Sequence, residues 1–302
     1  MSRIAQPRRI DTSEFAAVQR VVGACWAIEG AAAGRSVGAM TWNQFQHASH
    51  EHDWRIVLWE DATGTPVGWA RLDAPRDGDL QVIPRLRAEL VPEAIGWLEA
   101  EARAAGAREL EITVFDRDTE TVAALDRWGY RPTGQVWNGM RRRLDRLPQV
   151  AVPPGFRIRP MAASEPLAAR VAVHRAAFSI QGSRSRVTEQ SYAAVTRTPP
   201  YRPELDWIAE LPDGRAVSFC LVWLDEANRM GEMEPVGTDP EFWRRGLASA
   251  TCAAALAALR EAGARLAVVA SVDLPGRPSA PALYRKLGFR TYGHDRVFRR
   301  SL

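Results

Sequence analysis

Glu234-Pro235-Val236-Gly237-Thr238-Asp239-Pro240-Glu241-Phe242-Trp243-Arg244-Arg245-Gly246-Leu247-Ala248 is the stretch on which the reading of this chain turns. It reads as the end of a buried strand, a tight Thr-Asp-Pro turn, and a short basic loop that opens a helix. The helix, Leu247–Ala262, is almost wholly Ala and Leu on its inner face and ends at Gly263, a good C′ residue. A glycine-containing loop at a helix start aims several backbone N–H groups at one point, where the helix dipole adds partial positive charge. That arrangement suits a phosphate. A Gly-x-Ala before a helix is, taken alone, more often a simple helix start.

A second segment, Ala282-Leu283-Tyr284-Arg285-Lys286-Leu287-Gly288-Phe289, lies downstream. Together the two resemble the signature of the GNAT superfamily of acyl-CoA-dependent N-acyltransferases. Gly246 and Ala248 match the family's Gln/Arg-x-x-Gly-x-Gly/Ala loop, and Arg244 and Arg245 supply its basic character. Trp243 departs from it, standing where Gln or Arg is usual. The resemblance implies acetyl-CoA as co-substrate, with its phosphates on Arg244, Arg245, Gly246, Leu247, Ala248 and Ser249. Its pantetheine arm would lie along Val236, Gly237 and Thr238, on a strand that splays from its neighbour. An Asn often stands upstream of the family's tyrosine; here the position holds Arg277, which suits either a CoA phosphate or water.

An amine must be neutral to attack a thioester, so a general base is useful. The resemblance puts a carboxylate on the strand Met230–Thr238, with Glu234 as first choice and Glu232 as second. Strand alternation would put Glu232, Glu234, Val236 and Thr238 on one face. Either glutamate could equally be solvated or paired with Arg229 or Arg244. Tyr284 matches the position of the acid that protonates the departing thiolate. A half-buried tyrosine on an amphipathic helix is the plainer alternative.

Outward from this region, the chain carries a weak internal repeat. Ala105-Gly106-Ala107-Arg108 recurs as Ala262-Gly263-Ala264-Arg265, each after an Ala-rich helical pattern and before a strand, Leu110–Phe115 or Leu266–Ser271. Gly129-Tyr130 parallels Gly288-Phe289, and Arg9-Ile10 parallels Arg157-Ile158. Hairpins are expected at Trp54–Glu60 with Val67–Leu72, and at Trp207–Glu210 with Ala216–Leu224. A Pro-rich linker over 147–155 divides residues 1–146, read as a degenerate copy, from residues 156–302, read as the acyl-CoA-binding catalytic domain. The fold expected is α/β: two tandem GNAT-like domains, each a mixed sheet flanked by helices. In the first copy a helix is expected over Pro92–Ala105. The loop before it, Pro84 to Pro92, has no glycine, and Leu125 stands at the tyrosine position. That copy is read as having lost CoA binding, serving either as a wall of the acceptor site or as scaffold alone.

Composition narrows the function further. The chain has 302 residues, 46% hydrophobic and 25% charged, enough for two ordinary cores. A net charge of +4 on 40 basic and 36 acidic residues does not suggest a nucleic-acid binder. Lys286 is the lone lysine, a bias that reads as genome composition. Cys25, Cys220 and Cys252 have no metal or disulfide spacing, which fits a reduced, cytoplasmic setting. No signal peptide or membrane span is expected. His47, His50 and His52, with Glu51 and Asp53, are read as a polar run rather than a metal cluster, and no metal is expected. Ser183-Arg184-Ser185-Arg186 is read as a solvated basic loop, and most of the eleven tryptophans as packing residues, with Trp26, Trp42 and Trp137 able to line an aromatic acceptor pocket in the first copy though nothing in the sequence selects them. The function expected is acetyl or other acyl transfer to a primary amine of a small molecule, by direct attack in a ternary complex. The alternative is a non-catalytic acyl-CoA or ligand-binding protein.

Overall fold

The computed structural model describes residues 6–47, 54–179 and 184–302. Thus His50, Glu51, His52, Asp53 and Ser183 lie outside the described residues. In chain order the elements are β1 (Arg8–Ile10), α1 (Ala16–Glu29), α2 (Val37–Phe45), β2 (Trp54–Glu60), β3 (Pro66–Asp73), β4 (Asp77–Val82), α3 (Arg87–Ala104), β5 (Glu109–Phe115), α4 (Thr119–Arg127) and β6 (Arg131–Arg143). They continue with β7 (Arg157–Pro160), α5 (Ala168–Phe178), α6 (Glu189–Arg197), β8 (Asp206–Glu210), β9 (Ala216–Asp225), β10 (Met230–Thr238), α7 (Leu247–Glu261), β11 (Leu266–Ser271), α8 (Ala280–Lys286) and β12 (Arg290–Ser301). No helix among the described residues is long and apolar enough to cross a membrane.

These elements form two compact units that interleave in sequence. Among the described residues, unit 1 runs up to Ser36, from Trp54 to Trp137 and from Gly293 to Leu302; unit 2 takes Val37 to His47 and Asn138 to Tyr292. The pairing pattern is the same twice. In unit 1, β1, β2, β3 and β4 pair antiparallel in sequence order, β4 pairs β5 in parallel, and β5 pairs β12 antiparallel. In unit 2, β7, β8, β9 and β10 pair antiparallel in order, β10 pairs β11 in parallel, and β11 pairs β6 antiparallel. The mixed α/β fold is therefore as expected.

Three features differ from the sequence reading. First, the linker at 147–155 does not separate the compact units, because each sequence half gives its last strand to the other unit. Asp295–Ser301 of β12 pair with β5, and Asn138–Arg143 of β6 pair with β11. Second, α2 also joins unit 2, packing on β9 and β10. Third, the helix expected from Pro92 starts at Arg87, after a 3-10 turn over Pro84–Leu86, and holds Pro92 inside it. Leu90 and Val91, both buried, continue the apolar face of Ala94, Ile95 and Leu98 backwards past the proline.

The core of unit 2 has two sides, set by strand alternation on β9. Cys220, Val222 and Leu224 pack with Met233 against Cys252, Ala255, Leu256 and Leu259 of α7. Phe219, Leu221 and Trp223 pack on the other side against α5, α6 and Trp42 of α2.

Candidate active site

Helix α7 starts without a side-chain cap: its N-cap is Gly246, in the left-handed region at φ +82°. Few residues other than glycine adopt that conformation at low cost. Ala250 N–H bonds back to the Gly246 carbonyl, so the amides of Leu247, Ala248 and Ser249 precede the first helical hydrogen bond. Arg244 also has positive φ, +62°, and Arg244 and Arg245 are exposed. The Arg245 guanidinium lies 4.9 Å over the Phe242 ring. Leu247 anchors the start of the helix in a core with Ala209, Val217 and Phe242. An uncapped helix N-terminus with two solvent-facing arginines fits a diphosphate. Trp243 does not interrupt it: its indole N–H donates to the Thr238 carbonyl, 3.0 Å away, and closes the turn between strand and loop. Arg277 lies half-buried in the connection between β11 and α8, its backbone N–H on the Leu274 carbonyl.

The strand leading into this loop splays. The parallel pairing of β10 with β11 covers Met230–Glu232 opposite Leu266–Val268, and β10 then continues to Thr238. Its other edge stays on β9, with Val236 opposite Cys220, Gly237 opposite Phe219 and Thr238 opposite Ser218. The Thr238 hydroxyl lies 2.8 Å from that of Ser218, and a Cβ at Gly237 would sit 2.5 Å from the Phe219 ring. The edge of Val236 to Thr238 that faces away from β9 is where a pantetheine amide could pair.

Simple alternation fails on this strand. The register with β9 shifts between Met233 and Val236, a bulge centred on Glu234 and Pro235. Val236 therefore packs on the α7 side, whereas Glu232 turns toward α2. The expectation that Glu232, Glu234, Val236 and Thr238 share a face is overturned, because a bulge adds an unpaired residue and resets the period of two.

The two glutamates have different surroundings. Glu232 is buried, and its Oε2 accepts the Ala39 N–H at 3.1 Å, in the first turn of α2. That is a capping interaction, favoured by the helix dipole. Glu234 is half-buried, and burial pushes its carboxyl up to about 7. A carboxylate titrating there is suited to accept a proton at neutral pH.

Tyr284 sits in the second turn of α8, a helix begun by the Ser279 hydroxyl accepting the Ala282 N–H at 3.2 Å, with Pro281 just inside. The ring is buried, 5% exposed, and meets Phe289 edge-on at 5.7 Å. Its phenol is held well above its usual range, first by burial, then by the thiols Cys252 and Cys220 and by Glu234. It therefore keeps its proton, as a donor must. The structure thus brings Glu234 and Tyr284 into electrostatic reach of each other.

Several neighbours were not legible in the sequence. The Trp223 indole N–H donates to the Glu234 carbonyl at 2.5 Å. Gly38 of α2 packs so closely on Trp223 that a Cβ there would lie 2.4 Å from the tryptophan Cβ. Trp42, also on α2, is 2% exposed among Val171, Tyr192, Leu221 and Trp223. A glycine inside a helix is a weak hint of close approach, but nothing in the chain names its distant partner.

Comparisons with known proteins bear on the family and the fold. Residues 176–289 match the acetyltransferase (GNAT) family. A mycothiol acetyltransferase of Nocardia farcinica is 28% identical over 297 residues, covering 93% of this chain and 92% of that protein. One from an Arthrobacter species is 29% identical over 177 residues, 57% of this chain, and there the match spans only about half, 54%, of the relative. Among solved structures, a GCN5-related N-acetyltransferase from Sphaerobacter thermophilus superposes with a TM-score of 0.63 at 21% identity, covering 99% of this chain and 95% of that one. A tandem GNAT protein from the clavulanic acid biosynthesis pathway gives 0.65 at 15% identity, with 99% and 98% covered. The chain thus carries, over residues 176–289, a domain that matches the acetyltransferase (GNAT) family, with a splayed parallel pair and a glycine-started helix inside it.

Proposed function

We propose that unit 2 is an N-acetyltransferase that moves an acetyl group from acetyl-CoA to a primary amine of a small molecule by direct attack in a ternary complex. Acetyl-CoA supplies the activated thioester. Loop residues Arg244 to Ser249 hold its phosphates, and Val236, Gly237 and Thr238 align its arm. Glu234 takes the proton from the attacking amine, and Tyr284 gives its phenolic proton to the departing sulfur. Glu232 is tied to α2 and leaves the base role to Glu234. The name shared by the curated relatives, mycothiol acetyltransferase, supports a small-molecule acceptor. Residues 1–146 are, in this reading, a degenerate copy that serves the catalytic one.

The observation that carries the proposal is the pairing of a carboxyl pushed up to about 7 with a phenol that stays protonated, beside the splay. The test is release of free thiol from acetyl-CoA with a panel of amines. Glu234→Gln should lower kcat by about 10²–10³ with little change in KM for acetyl-CoA. The base works deprotonated, so kcat/KM should rise with pH through about 7 and that limb should vanish in Glu234→Gln. Tyr284→Phe should cost roughly tenfold to a hundredfold in kcat. Binding of acetyl-CoA without turnover by any amine, and with neither substitution altering the outcome, would favour the non-catalytic binding protein instead.

A further inference from the structure

We propose that Trp223 is the positioning residue for Glu234, and that helix α2, drawn from the other half of the sequence, holds Trp223 in place; the proposal rests on the reading of Glu234 as the base. The bulge creates the need. Met233 lies opposite Val222 and Val236 opposite Cys220, so Glu234 and Pro235 together face the single residue Leu221. Pro235 has no N–H to offer, and the Glu234 carbonyl stands at the register shift. A backbone carbonyl in such a place needs another donor. The Trp223 indole N–H is that donor, at 2.5 Å.

The indole is itself confined. Trp223 is 1% exposed, meets the Tyr201 ring at 6.2 Å, and has Gly38 against its Cβ and Cγ. Helix α2 is then tied back to the same strand through the Ala39 N–H and Glu232. Two ties from one side thus hold the backbone at both ends of the segment Glu232–Glu234, one through a side chain and one through a carbonyl. The direction of the Glu234 side chain follows from that backbone. If the carbonyl is released, the segment can turn its carboxyl toward water, where it titrates lower.

The ionisable groups around Glu234 do not mimic this effect. Tyr284 faces it from α8, with Cys252 of α7 and Cys220 of β9 beside the phenol. Glu232, on its own strand, is turned to α2, and α2 carries no ionisable side chain. A shift in the acid limb therefore reports the setting of Glu234.

Trp223→Phe removes the N–H and keeps a ring. The expected signature is kcat lowered roughly tenfold to a hundredfold, KM for acetyl-CoA held within about twofold, and the acid limb of kcat/KM moved down by about one pH unit. Gly38→Ala, which pushes the indole from the far side, should show the same signature more weakly. A fall in thermal stability with kcat and the acid limb both unchanged would overturn the proposal; if Trp223→Phe does not fold, Gly38→Ala decides it by the same measures. A readout independent of turnover is the 15N–1H signal of the Trp223 indole in the wild-type protein. It should move with pH through the Glu234 transition near 7, and stay still in Glu234→Gln. An indole signal that ignores the transition overturns the proposal even if the enzyme is active. A moving signal in a protein that acetylates no amine sustains it, and only the transferase reading falls.

Discussion

Helices α3 and α7 occupy the same place in the two units, each after the strand that enters the parallel pair, yet they start in opposite ways. Helix α7 follows a loop with Arg244 and Gly246 both at positive φ, its N-cap offers no side chain, and its arginines face solvent. Helix α3 follows a 3-10 turn with no glycine, and its first residue, Arg87, is 5% exposed. The Arg87 guanidinium takes both oxygens of Glu29, at 2.6 and 2.7 Å, and lies 3.4 Å from Asp118. At this helix start the chain's own carboxylates stand where an external anion would otherwise be drawn. A groove of about 310 Å³ does lie beside α3 and α4, lined in part by Arg87, Thr119, Glu120 and Arg127, but its buried cation is already paired. The same topology thus leaves an uncapped, solvent-facing helix start where a left-handed glycine is the N-cap, and a closed ion pair where the helix begins further back.

Breaking the ion pair should have the largest effect. Arg87→Ala leaves Glu29 and Asp118 facing each other without their cation and should cost about 3 kcal/mol in urea unfolding. The Kd for acetyl-CoA should stay within about twofold, since unit 2 is untouched; a large rise would mean that α3 also takes part in binding. Next comes the open site. Gly246→Ala must either hold a left-handed alanine, at about 1–2 kcal/mol, or redirect the loop amides. Space is not the obstacle, because the new Cβ would meet only Pro153, at 3.8 Å. Calorimetry should show about a tenfold rise in Kd for acetyl-CoA with the fold intact. The smallest effect belongs to the exposed cations. Arg244→Ala with Arg245→Ala should weaken binding about threefold to tenfold at low salt, and by less as salt rises. A loss that ignores salt would show that the arginines act through loop packing instead.

Part of the local structure of unit 2 was readable from the chain because it is short-range. Gly246 before an apolar helix, the basic pair ahead of it, and Tyr284 before Leu287-Gly288-Phe289 are short-range patterns, and each lies where it was expected. The repeat was readable for the same reason: turn glycines such as Gly106 and Gly263, both at positive φ, mark corresponding corners in each half. Other parts needed the assembled structure. The choice between Glu232 and Glu234 depends on a bulge that alternation cannot foresee and on an N–H from Ala39, far away in the chain. The extension of α3 back to Arg87 depends on Glu29 and Asp118 neutralising a buried guanidinium. The exchange of β6 and β12 depends on which edge strand each sheet meets, since the period of a strand states which face is apolar but not which neighbour it will pair with. What residues do within a turn or a helix start is written in their own order; who covers them, and hence how a carboxyl such as Glu234 is tuned, is settled by contacts that form only when distant segments come together.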